Sequence, residues 1–513
     1  MSISRKVSAA VTYNTIRIVI STLLSIFYSI ITVRWLQIQN FGGYGFLDGI
    51  FSILATIYVL GTHAPLLRFI PEFMAKRDYP RLRKLLSSLQ KINLAGSCIA
   101  TLIIFLGADV FLGALGRPEL AFYARRIALG IVPRAVLGIT KNILNSLYEQ
   151  KFLSIFETFF SALEFFLLII FVVFLKLELT GIIIIGLITN STAATVYSLY
   201  VRRKHAQLFN GEEKPLGTDT IQRIIKYTTP LTVLDLVGSF LSSAGNIILG
   251  ALRNLEDVAY YDIPNSFVER VFLQAWLVIG TIGSISLTEI RYSNEGRFRF
   301  AIEQYVKLLS LYAFPVTVGG VVLAEPILLT LYGSKVLPSV QIFRILLLAY
   351  CPLKILAISD TILRVTEKTH ILLFGGIARS AIIIVLGFWL VPNLGATGAA
   401  ISAITSSAIV IASYVYIIAV RNRLGNFIPI GVLGKYLLSS LLMGAVLGLL
   451  HHLLGKATIP LLLTAFTIGP LTYALALRFV NAFDLTDKKL IMDSKIPFKS
   501  VILKLLWKNG ISN

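Results

Sequence analysis

Acidic residues are scarce in this sequence: 26 Asp and Glu stand against 47 Lys and Arg in 513 residues, and charged residues of both signs make up only 14%. With 56% hydrophobic residues and a mean hydropathy of +0.80, an ordinary soluble protein is excluded. Cysteine is nearly missing. Cys98 and Cys351 both sit in or beside apolar runs, so they report nothing on redox compartment and cannot make a metal site. The histidines His63, His205, His370, His451 and His452 show no ligand spacing. No Gly-rich phosphate loop, nucleophile elbow or zinc-protease helix occurs. Pumping by the chain's own ATP hydrolysis is therefore not expected, and neither is an enzyme or a bound cofactor.

What the sequence has in abundance is apolar runs of about 20 residues, the length a helix needs to cross a bilayer. They lack the alternation of a membrane β-strand, so the expected fold class is an all-α membrane protein. Spans are expected over 8–30, 46–66, 86–106, 120–141, 152–175, 181–201, 224–250, 262–288, 304–324, 341–363, 370–390, 396–420, 432–453 and 459–478, about fourteen transmembrane helices. The first run has no small-residue cleavage site behind it and is expected to stay as a span. Lys and Arg alternate sharply between connecting segments, with Arg34, Arg117, Lys176, Arg253, Lys335 and Lys456 on one side and the bulk on the other. That asymmetry places both termini in the cytoplasm. The net charge of +21 is thus mostly topology, and nucleic acid is not an expected partner. Near the end, "IPFKSVILKLLWK" puts Phe498, Val501, Ile502 and Leu505 on one helical face, as an interfacial helix would.

The chain also resembles itself at a shift of about 218 residues. "GGYGF" from Gly42 lies over "VAYYD" from Val258, "IPEF" around Glu72 over "LTEI" around Glu289, and "RIALGIVPR" from Arg126 over "RILLLAYCP" from Arg344. Six spans per unit is an even number, so both units enter from the same side and form a parallel repeat. The expected organisation is a six-helix lobe over 1–210, a second over 211–425, two additional helices over 426–480, and a basic cytoplasmic tail over 481–513.

Ionisable residues at bilayer depth are costly unless they face protein or water, so they mark interior positions. Arg17 and Asp235 are related by the repeat, as are Arg126 and Arg344, while Arg134 lies close to the equivalent of Lys354. Glu269 and Arg270 fall in the eighth span and Arg379 in the eleventh. On an unbroken helix Arg126 and Arg134 stand about 80° apart and Arg125 points nearly opposite Arg134. Arg125 and Arg126 are near the outer end and can reach head groups. Glu157 comes from the cytoplasmic end to a depth like that of Arg134, which makes a salt bridge between them a rival to a ligand role. Asp48 and Asp360, close to span ends, read as solvated. Cations still outnumber carboxylates in the deeper parts of the spans, and unpaired guanidinium groups around a cleft suit an anion.

"NFGGYGF", "LLRFIPEF", "GNIILGALRNLEDVAYY" and "LGATGAAISA" resemble the polysaccharide-transporter, or lipid-linked oligosaccharide flippase, branch of the multidrug/oligosaccharidyl-lipid/polysaccharide exporter superfamily, most clearly from 1 to about 420. The resemblance implies a V-shaped pair of lobes. It also implies movement of a polyprenyl-phosphate- or pyrophosphate-linked glycan from the inner to the outer leaflet of the cell membrane by alternating access. The first and seventh spans line the cavity in that family and intramembrane Arg meets phosphate, which carries over to Arg17, Asp235 and Arg270 first, then Arg126, Arg134 and Arg344. Asp235 is either a site of ion coupling or the partner of Arg17. The resemblance leaves room for coupling to an H+ or Na+ gradient, and for membrane lipids and glycan-assembly enzymes as partners. A multidrug or toxin exporter of the same superfamily is the alternative, although a cation-exporting cavity should favour carboxylates. A glycan polymerase or ligase needs longer outer loops than this chain has.

Overall fold

The computed structural model describes residues 3–59, 61–271, 295–421, 427–455 and 458–483. The expected interfacial helix around Phe498 lies outside them, as does Glu289. Among the described residues the chain is helical and without strands, and ten helices are long and apolar enough to cross a membrane, or eleven with one bent pair joined. The protein is a multi-pass membrane protein. Two features separate this count from fourteen. The expected spans 8–30 and 262–288 fall partly among residues or side chains not described, and 370–390 and 396–420 run as one 48-residue helix interrupted only at Gly395.

In chain order the helices are α1 (Ile3–Trp35), α2 (Ile38–Val59), α3 (His63–Ala75), α4 (Tyr79–Ala114), α5 (Ala121–Ala128), α6 (Ile131–Ser146), α7 (Gln150–Leu168), α8 (Glu178–Lys204) and α9 (Thr218–Leu252). There follow α10 over 255–271, α11 (Glu295–Val322), α12 (Ala324–Tyr332), α13 (Ser339–Leu356), α14 (Ile358–Val365), α15 (Thr369–Tyr416), α16 (Ile430–Leu454) and α17 (Thr458–Phe479). Local chemistry sets several boundaries. Asp78 caps α4 by accepting from the Arg81 backbone N–H at 3.3 Å, with Pro80 in the first turn. The expected span 120–141 is broken into α5 and α6 with a bend of 46°. Pro133 explains the break: it has no N–H to give the carbonyl of Leu129, and its ring crowds that carbonyl. In the second half Gly395 takes φ 53° and ψ −133°, a left-handed backbone that a side chain would resist, and it turns the long α15.

The chain divides into two compact units, Met1–Ala259 and Tyr260–Asn513. In unit 1, Leu66, Phe69, Ile70, Leu82, Ile143 and Tyr197 form a core from α3, α4, α6 and α8. Here α2 approaches α9 and the first turn of α10 closely because small residues face the contacts: a Cβ on Gly250 of α9 would run into the Phe46 ring, and one on Gly42 into the carbonyl of Leu255 of α10. In unit 2, α16 and α17 share a core with α11 and α12 through Leu323, Tyr436, Met443, Leu447, Leu461 and Leu477.

Candidate functional site

Unit 1 gathers charge between its first helices. Arg17 on α1 forms an ion pair with Glu157 on α7, and the other carboxylate oxygen of Glu157 takes Lys141 Nζ of α6 at 3.0 Å. The expected bridge between Glu157 and Arg134 is therefore corrected: one carboxylate already serves two cations from two other helices. The alternative pairing of Arg17 with Asp235 is corrected by the same contact. Asp235 stands exposed on α9, with no hydrogen bond or ion pair among the described residues.

Arg134 is exposed near the start of α6, within electrostatic reach of Tyr44 and Asp48 on α2 and Glu164 on α7. Glu164 accepts a hydrogen bond from Thr189 Oγ1 at 3.0 Å. The break at Leu129 and Gly130 puts Arg126 and Arg134 on different helices, so the 80° relation of an unbroken helix does not hold. Arg126 lies over the Phe122 ring, 3.7 Å from its centroid, and donates to Thr180 Oγ1 at 3.4 Å. Arg125 pairs with Asp109 and donates to the Phe105 carbonyl at 3.1 Å.

In unit 2, Arg270 is half-buried on α10, and Arg344 on α13 donates to the Val321 carbonyl at 3.4 Å. Beside Arg270, Glu269 accepts from Tyr350 Oη at 3.0 Å, and the same hydroxyl lies 3.0 Å from Asn265 Oδ1. Asp360 is not solvated as its place near a span end suggests: its Oδ1 is buried without a hydrogen-bond partner, as is Arg379 Nε. Sequence reading missed Tyr350 and Asn265, because a tyrosine and an asparagine inside apolar runs carry no spacing signal.

The helices bearing Arg270 and Arg344 also wall an apolar groove of about 610 Å³. Phe267 and Val271 of α10, Phe343 and Leu347 of α13, and Met443 and Leu447 of α16 line it, with Gly319 of α11 and Gly469 of α17 leaving room. Among the described residues its lining holds no Asp, Glu, Lys, Arg or His. At its rim Phe466 of α17 is 86% exposed. Among the described residues no three of His, Cys, Asp or Glu come together as metal ligands would.

Residues 7–273 match the sequence profile of the family described as "Polysaccharide biosynthesis protein". The chain belongs to that family. No curated protein sequence matches the chain. Among solved structures, this polysaccharide biosynthesis family member is similar to the lipid II flippase MurJ in an inward closed conformation. The TM-score is 0.72 at 14% identity, covering 91% of this chain and 98% of that one. It is also similar to an inward-facing multidrug resistance MATE family transporter of the MOP superfamily, at TM-score 0.67 and 16% identity, covering 79% and 95%. A MOP superfamily transporter from Pyrococcus furiosus, whose binding pocket is described as reversed in polarity, matches at TM-score 0.56 and 15% identity, covering 82% and 96%. The chain thus shares its fold with solved structures that are described as a flippase and as transporters.

Proposed function

We propose that the chain moves a polyprenyl-phosphate- or pyrophosphate-linked oligosaccharide from the inner to the outer leaflet of the cell membrane. The observation that carries this reading is the apolar groove of unit 2. At about 610 Å³ it has the size of a ligand site, yet its described lining offers no charge to a drug-like cation. A long isoprenoid chain needs only apolar surface, while its phosphate needs donors, and Arg270 and Arg344 stand on two of the groove's own helices. Two further facts support it. The helices α16 and α17 that complete the groove lie in the part of the chain beyond 420, and the flippase similarity covers more of the chain than the drug-transporter similarities do.

The second reading, export of amphiphilic cations, is favoured by the likeness to the MATE fold and by the carboxylates Asp48 and Glu164 in unit 1. Reconstituted vesicles offered a lipid-linked glycan and an amphiphilic cation distinguish the two. Translocation of the glycan lipid, lost when Gly469→Trp fills the groove, is the expected result. Transport of the cation alone, unaffected by that substitution, overturns it. A drop in KM-limited transport for Arg270→Ala or Arg344→Ala with normal membrane insertion assigns the phosphate to those side chains.

A further inference from the structure

A second, smaller cavity of about 300 Å³ lies in unit 1 between α4, α6 and α8, and Arg17, Lys141 and Glu157 are not among its lining residues. Its wall is of two kinds. Leu94 of α4, Ile139 of α6 and Val201 of α8 make an apolar floor, while Gln90 and Lys91 of α4 and Arg202 of α8 stand around it. Lys91 and Arg202 are both exposed, and neither donates to a hydrogen bond or ion pair among the described residues. The carboxylate of Glu213 is exposed, pairs with Lys84 at 3.3 Å and lies within electrostatic reach of Lys91.

Helix geometry puts the two cations at one level. Lys91 lies 23 residues from the end of α4 at Ala114, and Arg202 lies 24 residues from the start of α8 at Glu178, so each is roughly 35 Å along its helix from that end. A hydrocarbon core is about 30 Å thick, which leaves both at the depth of lipid head groups. Their long side chains can lie along apolar surface with the charge toward the interface. Leu94 is itself 46% exposed, so the apolar floor continues onto the helix surface that meets lipid.

We propose that this cavity binds one anionic glycerophospholipid of the surrounding membrane, with Lys91 and Arg202 holding its phosphate and the floor of Leu94, Ile139 and Val201 taking the start of an acyl chain. A basic niche between membrane helices on the cation-rich side is the arrangement that recognises such head groups. Arg adds a two-pronged hold on the phosphate and Lys a point charge. The site belongs to unit 1 and involves none of the groove residues, so it stands apart from the transport reading.

The test uses the full chain purified in detergent and offered phosphatidylglycerol or phosphatidylcholine, with retained lipid counted by native mass spectrometry. Two interfacial cations predict a preference for phosphatidylglycerol of about thirtyfold. Lys91→Gln with Arg202→Gln should bring that ratio close to one, whereas Lys151→Gln, an exposed cation at the same end, should leave it unchanged. If the double variant does not fold, the wild type alone decides: 1 M NaCl should abolish the preference. Equal retention of both lipids, a preference insensitive to salt, or a double variant as selective as wild type overturns the proposal. Displacement of the lipid by millimolar inorganic phosphate would make it a free-anion site. Displacement by polyprenyl phosphate at lower concentration than by phosphatidylglycerol would return it to the transport substrate.

Discussion

In unit 1, Glu157 draws Arg17 and Lys141 from two other helices, Glu72 holds Arg223 of α9 against α3, and Glu149 holds Lys204 and His205 of α8. In unit 2 the described contacts between helices include tyrosine hydroxyls on carbonyls, Tyr312 to Val271 at 2.9 Å and Tyr473 to Leu311 at 3.1 Å, and Tyr350 on the carboxylate of Glu269 at 3.0 Å. In unit 2 the ion pair of Arg299 with Glu303 sits i to i+4 on the exposed side of α11. The difference has a physical meaning. Charges joining helices in an apolar medium are costly to separate, so they fix one arrangement. Apolar walls with a cavity between them hold a guest of matching shape and let it slide, because no single contact is strong. The charged unit is therefore expected to respond sharply to loss of one carboxylate, and the apolar unit to changes of volume.

The largest effect that would sharpen this comparison is expected for Glu157→Gln, which removes the carboxylate that Arg17 and Lys141 share. We expect a loss of about 3 kcal/mol in stability, read as a lower melting temperature in detergent. Arg17→Gln should cost less, since Lys141 keeps its contact with Glu157 at 3.0 Å. In unit 2, Glu303→Gln should change stability by less than about 0.5 kcal/mol, as exposed helix pairs do. Equal effects of Glu157→Gln and Glu303→Gln would break the contrast.

Next in size is Gly42→Ala. Its methyl would meet the backbone carbonyl of Leu255, which cannot turn aside as a side chain could, so a cost of about 2 kcal/mol is expected. The counterpart in unit 2 is Gly434→Ala on α16, where nothing stands within 4 Å. There the gain in helix propensity should raise stability by about 0.5 kcal/mol. The measurement is again the melting temperature of each variant beside wild type, and the two shifts should have opposite signs.

Much of the fold was legible from the chain. Apolar runs and the alternation of Lys and Arg mark helices because the bilayer imposes a length and a sidedness on each one. The bend before α6 was also written in the sequence, in Pro133, although an apolar run that spans it conceals the break. The partner of Glu157 was not legible. Three cations, Arg17, Lys141 and Arg134, reach a similar depth, and which of them faces α7 depends on how each helix is rotated about its axis. The groove escaped for a related reason: Leu447 and Leu463 look alike in sequence, yet one is 2% exposed inside unit 2 and the other 67% exposed. Hydropathy cannot separate a residue that faces lipid from one that faces an apolar cavity.

The smallest effect concerns the carboxylate that lies outside the spans. Glu149 accepts from Tyr200 Oη at 3.0 Å, Lys204 Nζ at 2.8 Å and His205 Nε2 at 2.9 Å. Partial burial works to raise its pKa, but the hydrogen bonds from Lys204, His205 and Tyr200 more than offset that and hold the carboxyl below its ordinary value of 4.5. A carboxylate depressed in the folded state stabilises fully above its unfolded value and loses that contribution as pH falls through the lower, folded one. Between pH 7 and about pH 5 the wild type should therefore exceed Glu149→Gln by under about 1 kcal/mol, and the two melting curves should converge as pH falls further, through the depressed pKa of the folded state. No convergence on acidification would mean that Glu149 acts through packing rather than charge, and the ionic character assigned to unit 1 would then stop at Glu157 and Glu72.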